Sequence, residues 1–236
     1  MTGERKIDEG RMMYPLNEKE RQMRKFPALM MALMSGVVLN LACAPAKTRT
    51  VLWNGTNFDG WVRYVPDQTV QVDTVWTSQD GVLRCSGKPT GYIRTRASFS
   101  DYHLHLEWRW VKEGGNSGVL LHCQGPDQVW PHCIEAQLKS GDAGDLVLIG
   151  PGEITVAGKT YKNDRPFLII ANQKDDIENP MGEWNSYDIV CRGQSIICSV
   201  NGVEVNRGEK AFADAGPIAL QSEGAAIEFR AIWLEK

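Results

Sequence analysis

From position 51 onward apolar and polar residues alternate in short runs, separated by Gly, Asn, Asp and Pro. The clearest run is 102–111. Tyr102, Leu104, Leu106, Trp108 and Trp110 share one parity, while His103, His105, Glu107 and Arg109 share the other. A period of two over that length predicts a strand with one apolar and one polar face, because successive side chains of an extended chain point to opposite sides. Residues 119–123, 134–138, 186–190 and 218–221 read the same way. Residues 195–200 and 203–205 flank Asn201-Gly202, a pair that tolerates the positive φ of a tight hairpin turn. The closing run, 226–234, also alternates, with Ile227, Phe229 and Ala231 expected on one side. No convincing three-turn amphipathic helix interrupts this series. The pattern predicts one all-β domain, a sandwich or barrel. Its length exceeds that of an immunoglobulin-type sandwich of roughly 100 residues and fits a jelly roll with two broad sheets. Such a fold can leave one outer face curved and polar, where a ligand would sit.

Ahead of position 51 the pattern is different. Residues 1–22 mix charges without an apolar period, Met23-Arg24-Lys25 is basic, and residues 26–42 carry no charged side chain. A basic start, an apolar run and small residues before a cleavage point make a secretory signal. The run holds Asn40 near its end and is marginal in length for a bilayer-spanning helix. It stops at Leu41-Ala42-Cys43, which resembles a bacterial lipoprotein cleavage box in which the Cys43 thiol takes the lipid. The plainer alternative is a secretory signal with an incidental Cys43. The organisation read from these features is a non-native extension over 1–22, with translation starting at Met23, then a lipoprotein signal peptide over 23–42, a linker over 43–50 and the globular domain over 51–236. The product would be exported, a periplasmic or outer-membrane lipoprotein that meets the membrane through its lipid alone.

Composition narrows the function classes. The 236 residues are 42% hydrophobic and 23% charged, as expected of a chain that folds. A net charge of −3 with no basic stripe argues against a nucleic-acid partner, since phosphate contacts require clustered cations. After Cys43 come Cys85, Cys123, Cys133, Cys191 and Cys198, an odd set that leaves at least one thiol unpaired within the chain. Spacing does not fix their pairing, and all five could equally be small buried residues.

The segment 134–138 is the most suggestive chemically. With Ile134, Ala136 and Leu138 inward, Glu135, Gln137 and Lys139 share the other face. A carboxylate beside an amide and an ammonium on one rigid strand could act as a general base with ligand-holding neighbours. A solvated strand face is the alternative. The same choice applies to His103, His105, Glu107 and Arg109. His122-Cys123 and His132-Cys133 do not make a zinc site easily, because adjacent strand residues face opposite ways. The loop 141–145, with Asp142 and Asp145, supplies oxygens for a divalent cation such as Ca²⁺ or is a solvated turn. Trp53, Trp61, Trp76, Trp130 and Trp184 lie next to turns, where indoles either stack on sugar rings or join the core.

Several ordered segments together resemble the 3-keto-disaccharide hydrolase family. They begin with Leu52-Trp53-Asn54-Gly55-Thr56-Asn57-Phe58-Asp59-Gly60-Trp61, then Trp76 with Asp80-Gly81-Val82-Leu83. Glu107-Trp108-Arg109, Gly114-Gly115-Asn116-Ser117-Gly118-Val119 and Ile134-Glu135-Ala136-Gln137 follow. Gly182-Glu183-Trp184-Asn185-Ser186-Tyr187, Asn201-Gly202-Val203, Leu220-Gln221-Ser222-Glu223-Gly224 and Ile227-Glu228-Phe229-Arg230 complete the set. The resemblance implies a concanavalin A-like jelly roll and an exported enzyme acting on sugars oxidised to a ketone at C3. There, Glu135 would be the base and Gln137 its neighbour, with Arg109 and Asn116 holding sugar oxygens. Lys139 would add to that binding face, and Asp145 would position a cation or water. Many relatives carry His where this chain has Glu223, so the resemblance gives that proton-handling position to a carboxylate here.

A ketone at C3 acidifies the hydrogen on C2, so a modest base can remove it and the C1 substituent leaves by elimination. Water adding across the product completes a net hydrolysis. The reading is therefore an enzyme cleaving 3-keto-glycosides, with no cofactor beyond a divalent cation to consider. The alternatives are a non-catalytic, lectin-like carbohydrate-binding lipoprotein, since fold does not dictate function, and a structural surface lipoprotein.

Overall fold

Residues 48–236 are described by a computed structural model. The extension, the signal segment and Cys43 lie outside the described residues. Strand Tyr102–Trp110, whose alternation is the cleanest in the chain, takes the middle of the larger of two sheets. It is flanked by Asn185–Arg192 and Ile227–Glu235. Beyond Asn185–Arg192 follow Ser195–Val200, Val203–Glu209, Gly152–Val156 and Lys159–Asn163, and beyond Ile227–Glu235 follow Val82–Cys85 and Trp76–Gln79. Arg49–Val51 also pairs with Ile227–Glu235. The smaller sheet runs Phe167–Ile170, Leu146–Ile149, His132–Gln137, Gly118–Gln124, Ala219–Ser222, Gly91–Thr95, Trp61–Tyr64. The ladders are antiparallel throughout, and the described helix is a single 3₁₀ turn at Val72–Thr74. This is an all-β sandwich of two sheets.

The two sheets bury one face each against the other. Leu104, Leu106 and Trp108 meet Val119, Leu121, Ile134, Ala136, Leu146 and Leu148 in one continuous core. Each fully buried aliphatic side chain of this kind contributes about 1.5–3 kcal/mol. Trp53, Trp61 and Trp76 belong to this core rather than to a sugar-stacking surface. The hairpin at Asn201-Gly202 forms as expected, with Asn201 at φ 49° and Gly202 at φ 79°.

Two expectations change. In the last strand a bulge between Arg230 and Trp233 places Ala231 at φ 51°, and the inward set becomes Ile227, Phe229, Ile232 and Leu234. Ala231 is therefore not on the core side, because one extra residue reverses the parity after it. The outer face of the smaller sheet is also not simply polar. Tyr92, Leu120, Cys133, Val147, Ile149 and Ala219 form a second apolar cluster on it. The loop after Gly118–Gln124 reaches back over this face, where Asp127 accepts hydrogen bonds from Tyr92 Oη and Arg94 Nε, both at 2.7 Å. All five described cysteines are unpaired.

Candidate functional site

Strand His132–Gln137 lies between Gly118–Gln124 and Leu146–Ile149, with Glu135 opposite Leu120 on one side and Val147 on the other. Ile134 and Ala136 go into the core, so alternation turns Glu135 and Gln137 to the outer face. What seats the carboxylate is the absence of a side chain on the next strand. A Cβ built on Gly118 would fall 2.0 Å from Glu135 Oε1, so the carboxylate lies over that glycine. The Gln137 side-chain amide donates to Glu135 Oε1 at 2.7 Å, to Asn116 Oδ1 at 3.2 Å and to Ser117 O at 3.3 Å.

Glu223 arrives from a remote part of the chain. Its backbone and that of Gly224 bridge to Asn116, and the Asn116 side chain hydrogen-bonds its carboxylate. Asn116, Glu135, Gln137 and Glu223 line the polar end of a cleft of about 200 Å³. Burial raises the Glu135 pKa well above the usual carboxylate range, and the charges of Glu223 and Asp145 push it the same way. Burial also raises Glu223, against the Asn116 hydrogen bond. Two carboxylates so placed hold on to a proton that exposed ones would release.

Asp145 lies beside Gln137, whose backbone N–H donates to Asp145 O at 3.0 Å. Its Oδ1 accepts from Asn172 N at 2.7 Å, and burial raises its pKa despite that bond. It acts on Glu135 through charge without lining the cleft. Lys139 forms an ion pair with Asp142 and lines a shallow depression that shares Asn116 with the cleft. Arg109 is elsewhere. It projects from the outer face of the larger sheet, where its guanidinium meets Glu228 at 2.7 Å and lies over Trp184. The structure thus brings Asn116, Glu135, Gln137 and Glu223 together and separates Arg109 from them by the thickness of the sandwich. His103 and His105 lie on that same far face, both on Asp188 Oδ1 at 2.7 and 2.8 Å.

Gln221 was not singled out as a site residue in the sequence. It pairs with Tyr92 across the ladder, so it shares the outer face, and it is 1% exposed with neither amide atom partnered in the protein. Its sequence signals were its place after Leu220 in an alternating run and in the family-like segment Leu220-Gln221-Ser222-Glu223-Gly224. A second cleft of about 230 Å³ contains Glu178, but its Oε1 accepts from Gly141 N and Ala143 N and so ties down the 141–143 loop. That loop's carboxylates are already engaged, and among the described residues no group of three His, Cys, Asp or Glu side chains is arranged to hold a metal ion.

Residues 48–235 match the family model described as 3-keto-alpha-glucoside-1,2-lyase-like domain. No curated protein matches the chain. Among solved structures, a Parabacteroides distasonis protein provisionally described as a glycosyl hydrolase superposes with a TM-score of 0.59 at 21% identity, over 79% of this chain and 93% of that one. A carbohydrate-binding module from Bacillus subtilis gives 0.53 at 12% identity, over 75% and 96%. The Bacillus licheniformis beta-glucanase gives 0.50 at 11% identity, over 80% and 96%. At these identities the likeness is one of fold.

Proposed function

This chain belongs to the 3-keto-alpha-glucoside-1,2-lyase-like family, and from that premise and the geometry of the cleft we propose that it cleaves 3-keto-glycosides by elimination and hydration. The observation that carries the reading is Glu135, a carboxylate buried over Gly118, fixed by Gln137 and facing a cleft with Glu223 on its rim. A carboxylate with a raised pKa is, once ionised, a stronger proton acceptor than an exposed one. The Gln137 N–H on Oε1 supports the ionised form and fixes its direction.

Glu135 takes the C2 proton of the ketosugar, and the C2–H electron pair moves toward the C3 carbonyl as an enolate. The enolate collapses to a C1–C2 double bond, the C1–O bond breaks, and protonated Glu223 gives its proton to the departing oxygen. In the second half Glu223 takes a proton from water as the oxygen adds to C1, and Glu135 returns its proton to C2. The sum is hydrolysis, with both carboxyl groups restored. Export by the signal segment and anchoring through Cys43 are part of the same proposal, since such substrates would be met outside the cytoplasm.

The test is the full chain with a 3-keto-disaccharide, following release of the ketosugar. Turnover by the native protein and a loss of at least about 10²-fold in Glu135→Gln support the reading; equal rates remove Glu135 from its role. The carbohydrate-binding module among the structural neighbours favours a second reading, binding without chemistry. It predicts calorimetric binding of unoxidised glycans and no product from any ketosugar.

A further inference from the structure

Resting on the reaction just described, we propose that the group expelled from C1 is an apolar, ring-sized alcohol rather than a second sugar. The cleft has two unlike ends. Opposite the carboxylates its wall is built by Trp130, Val147, Ile149, Pro166, Phe167 and Ile169. Trp130, Phe167 and Ile169 are 45%, 62% and 50% exposed, and they are three of the few large hydrophobic side chains the described residues leave open to solvent. Exposed apolar groups gathered at one cleft mark a binding surface, whereas scattered ones need no explanation.

The position of this wall is set by register. Ile169 pairs with Val147 and Val147 with Glu135, so the three stand in one row across adjacent strands. At a strand spacing of about 4.8 Å, Val147 stands one strand and Ile169 two strands from the proposed base, roughly 5 and 10 Å away. A sugar whose C2 sits at Glu135 therefore directs its C1 substituent toward either this wall or open water.

A second sugar on the wall would meet aliphatic side chains with almost nothing to accept or donate a hydrogen bond. Each hydroxyl stripped of water without a partner forfeits its hydrogen bonds uncompensated. An aryl or cycloalkyl group instead gains in proportion to the apolar surface it removes from water. Trp130 alone would suit either occupant, because indoles stack on sugars and on aromatic rings. The branched aliphatic wall beside it suits one.

The experiment compares two 3-keto-α-glucosides with the full chain, one of benzyl alcohol and one a disaccharide. Benzyl alcohol is no better a leaving group than a sugar hydroxyl, so a preference for it reports recognition. The expected result is a kcat/KM at least tenfold higher for the benzyl glycoside, with that ratio falling toward one in Phe167→Ser and Ile169→Ser. Equal or reversed values, or a ratio unmoved by both variants, overturn the proposal. A dimer abolished by Phe167→Ser with the ratio unchanged would assign the wall to a second copy and also overturn it. If neither ketoglycoside turns over, the reaction fails but this inference is still decided by calorimetry. Glu135→Gln protein should then bind unoxidised benzyl glucoside at least tenfold more tightly than the disaccharide, and equal affinities reject the apolar occupant.

Discussion

Glu135 is 4% exposed and has the negative charges of Glu223 and Asp145 acting on it. Its proton affinity is raised by burial first and by those charges second. Between the ordinary Glu range of about 4.3 and that raised value, the folded state binds more protons than the unfolded chain, so stability falls as pH rises. Glu135→Gln keeps an acceptor for the Gln137 amide but removes the charge. We expect the variant to melt above the native protein at pH 8, with the two converging near pH 4, in thermal unfolding at both values. Turnover should fall by about 10²–10⁴-fold, the usual loss for a general base. A variant that melts lower at pH 8 would show that Glu135 is held by a cation or donor outside this account. Asp145→Asn tests the coupling separately. Its Oδ1 can still accept from Asn172 N, but one of the charges raising Glu135 is gone. The rising limb of kcat/KM against pH should therefore move to lower pH, and an unmoved limb would sever Asp145 from the base.

At the scale of strands, the glycine under the carboxylate matters as much as the carboxylate. Gly118→Ala puts a methyl group where Glu135 Oε1 lies, so the side chain must turn away. We expect activity to drop at least about tenfold by misplacement of the base. Combining it with Glu135→Gln should add little further loss, which steady-state kinetics of the double variant would show. Arg109→Ala should do the opposite. It removes one partner of Glu228, whose carboxylate keeps Arg84 at 2.9 Å, on the far side of the molecule from the cleft. Thermal unfolding should register a loss of about 1 kcal/mol while kcat/KM stays unchanged. The contrast shows what period-two patterning can and cannot carry. Alternation places Glu135, Gln137 and Arg109 correctly on the polar faces of their strands. It is silent on which sheet each strand joins, and Glu135 and Arg109 end on opposite outer surfaces. Glu223 reaches Glu135 only because Ala219–Ser222 is laid beside Gly118–Gln124, a pairing between distant segments that no local pattern reports. The run Leu146-Val147-Leu148-Ile149 is apolar at every position, so its outer half could not be told from core before the wall of the cleft was seen.

On the larger sheet's outer surface arginines and carboxylates are matched, Arg84 and Arg109 with Glu228 and Arg230 with Glu107, whereas the charged groups of the cleft on the other surface are carboxylates alone. Arg84, Arg109 and Arg230 sit on the larger sheet, where Arg109 and Arg230 both lie over Trp184. The cleft in the smaller sheet is lined by two carboxylates and by no Lys or Arg, and nearby Lys139 is engaged by Asp142. A neutral ketosugar meets no electrostatic barrier there. A substrate carrying its own carboxylate or sulfate would approach the buried, ionised Glu135 in a poorly screened site, with no cation lining the cleft to receive it. The expected outcome is a kcat/KM at least about tenfold lower for a 3-keto-uronoside than for the matching neutral ketoglucoside. Raising salt from about 0.05 to about 0.5 M should leave the neutral substrate unaffected and recover only part of the deficit, because salt screens exposed charges far better than buried ones. Equal rates for the two substrates would mean that Glu135 and Glu223 present no net charge to the ligand, and the division of labour between them would have to be redrawn.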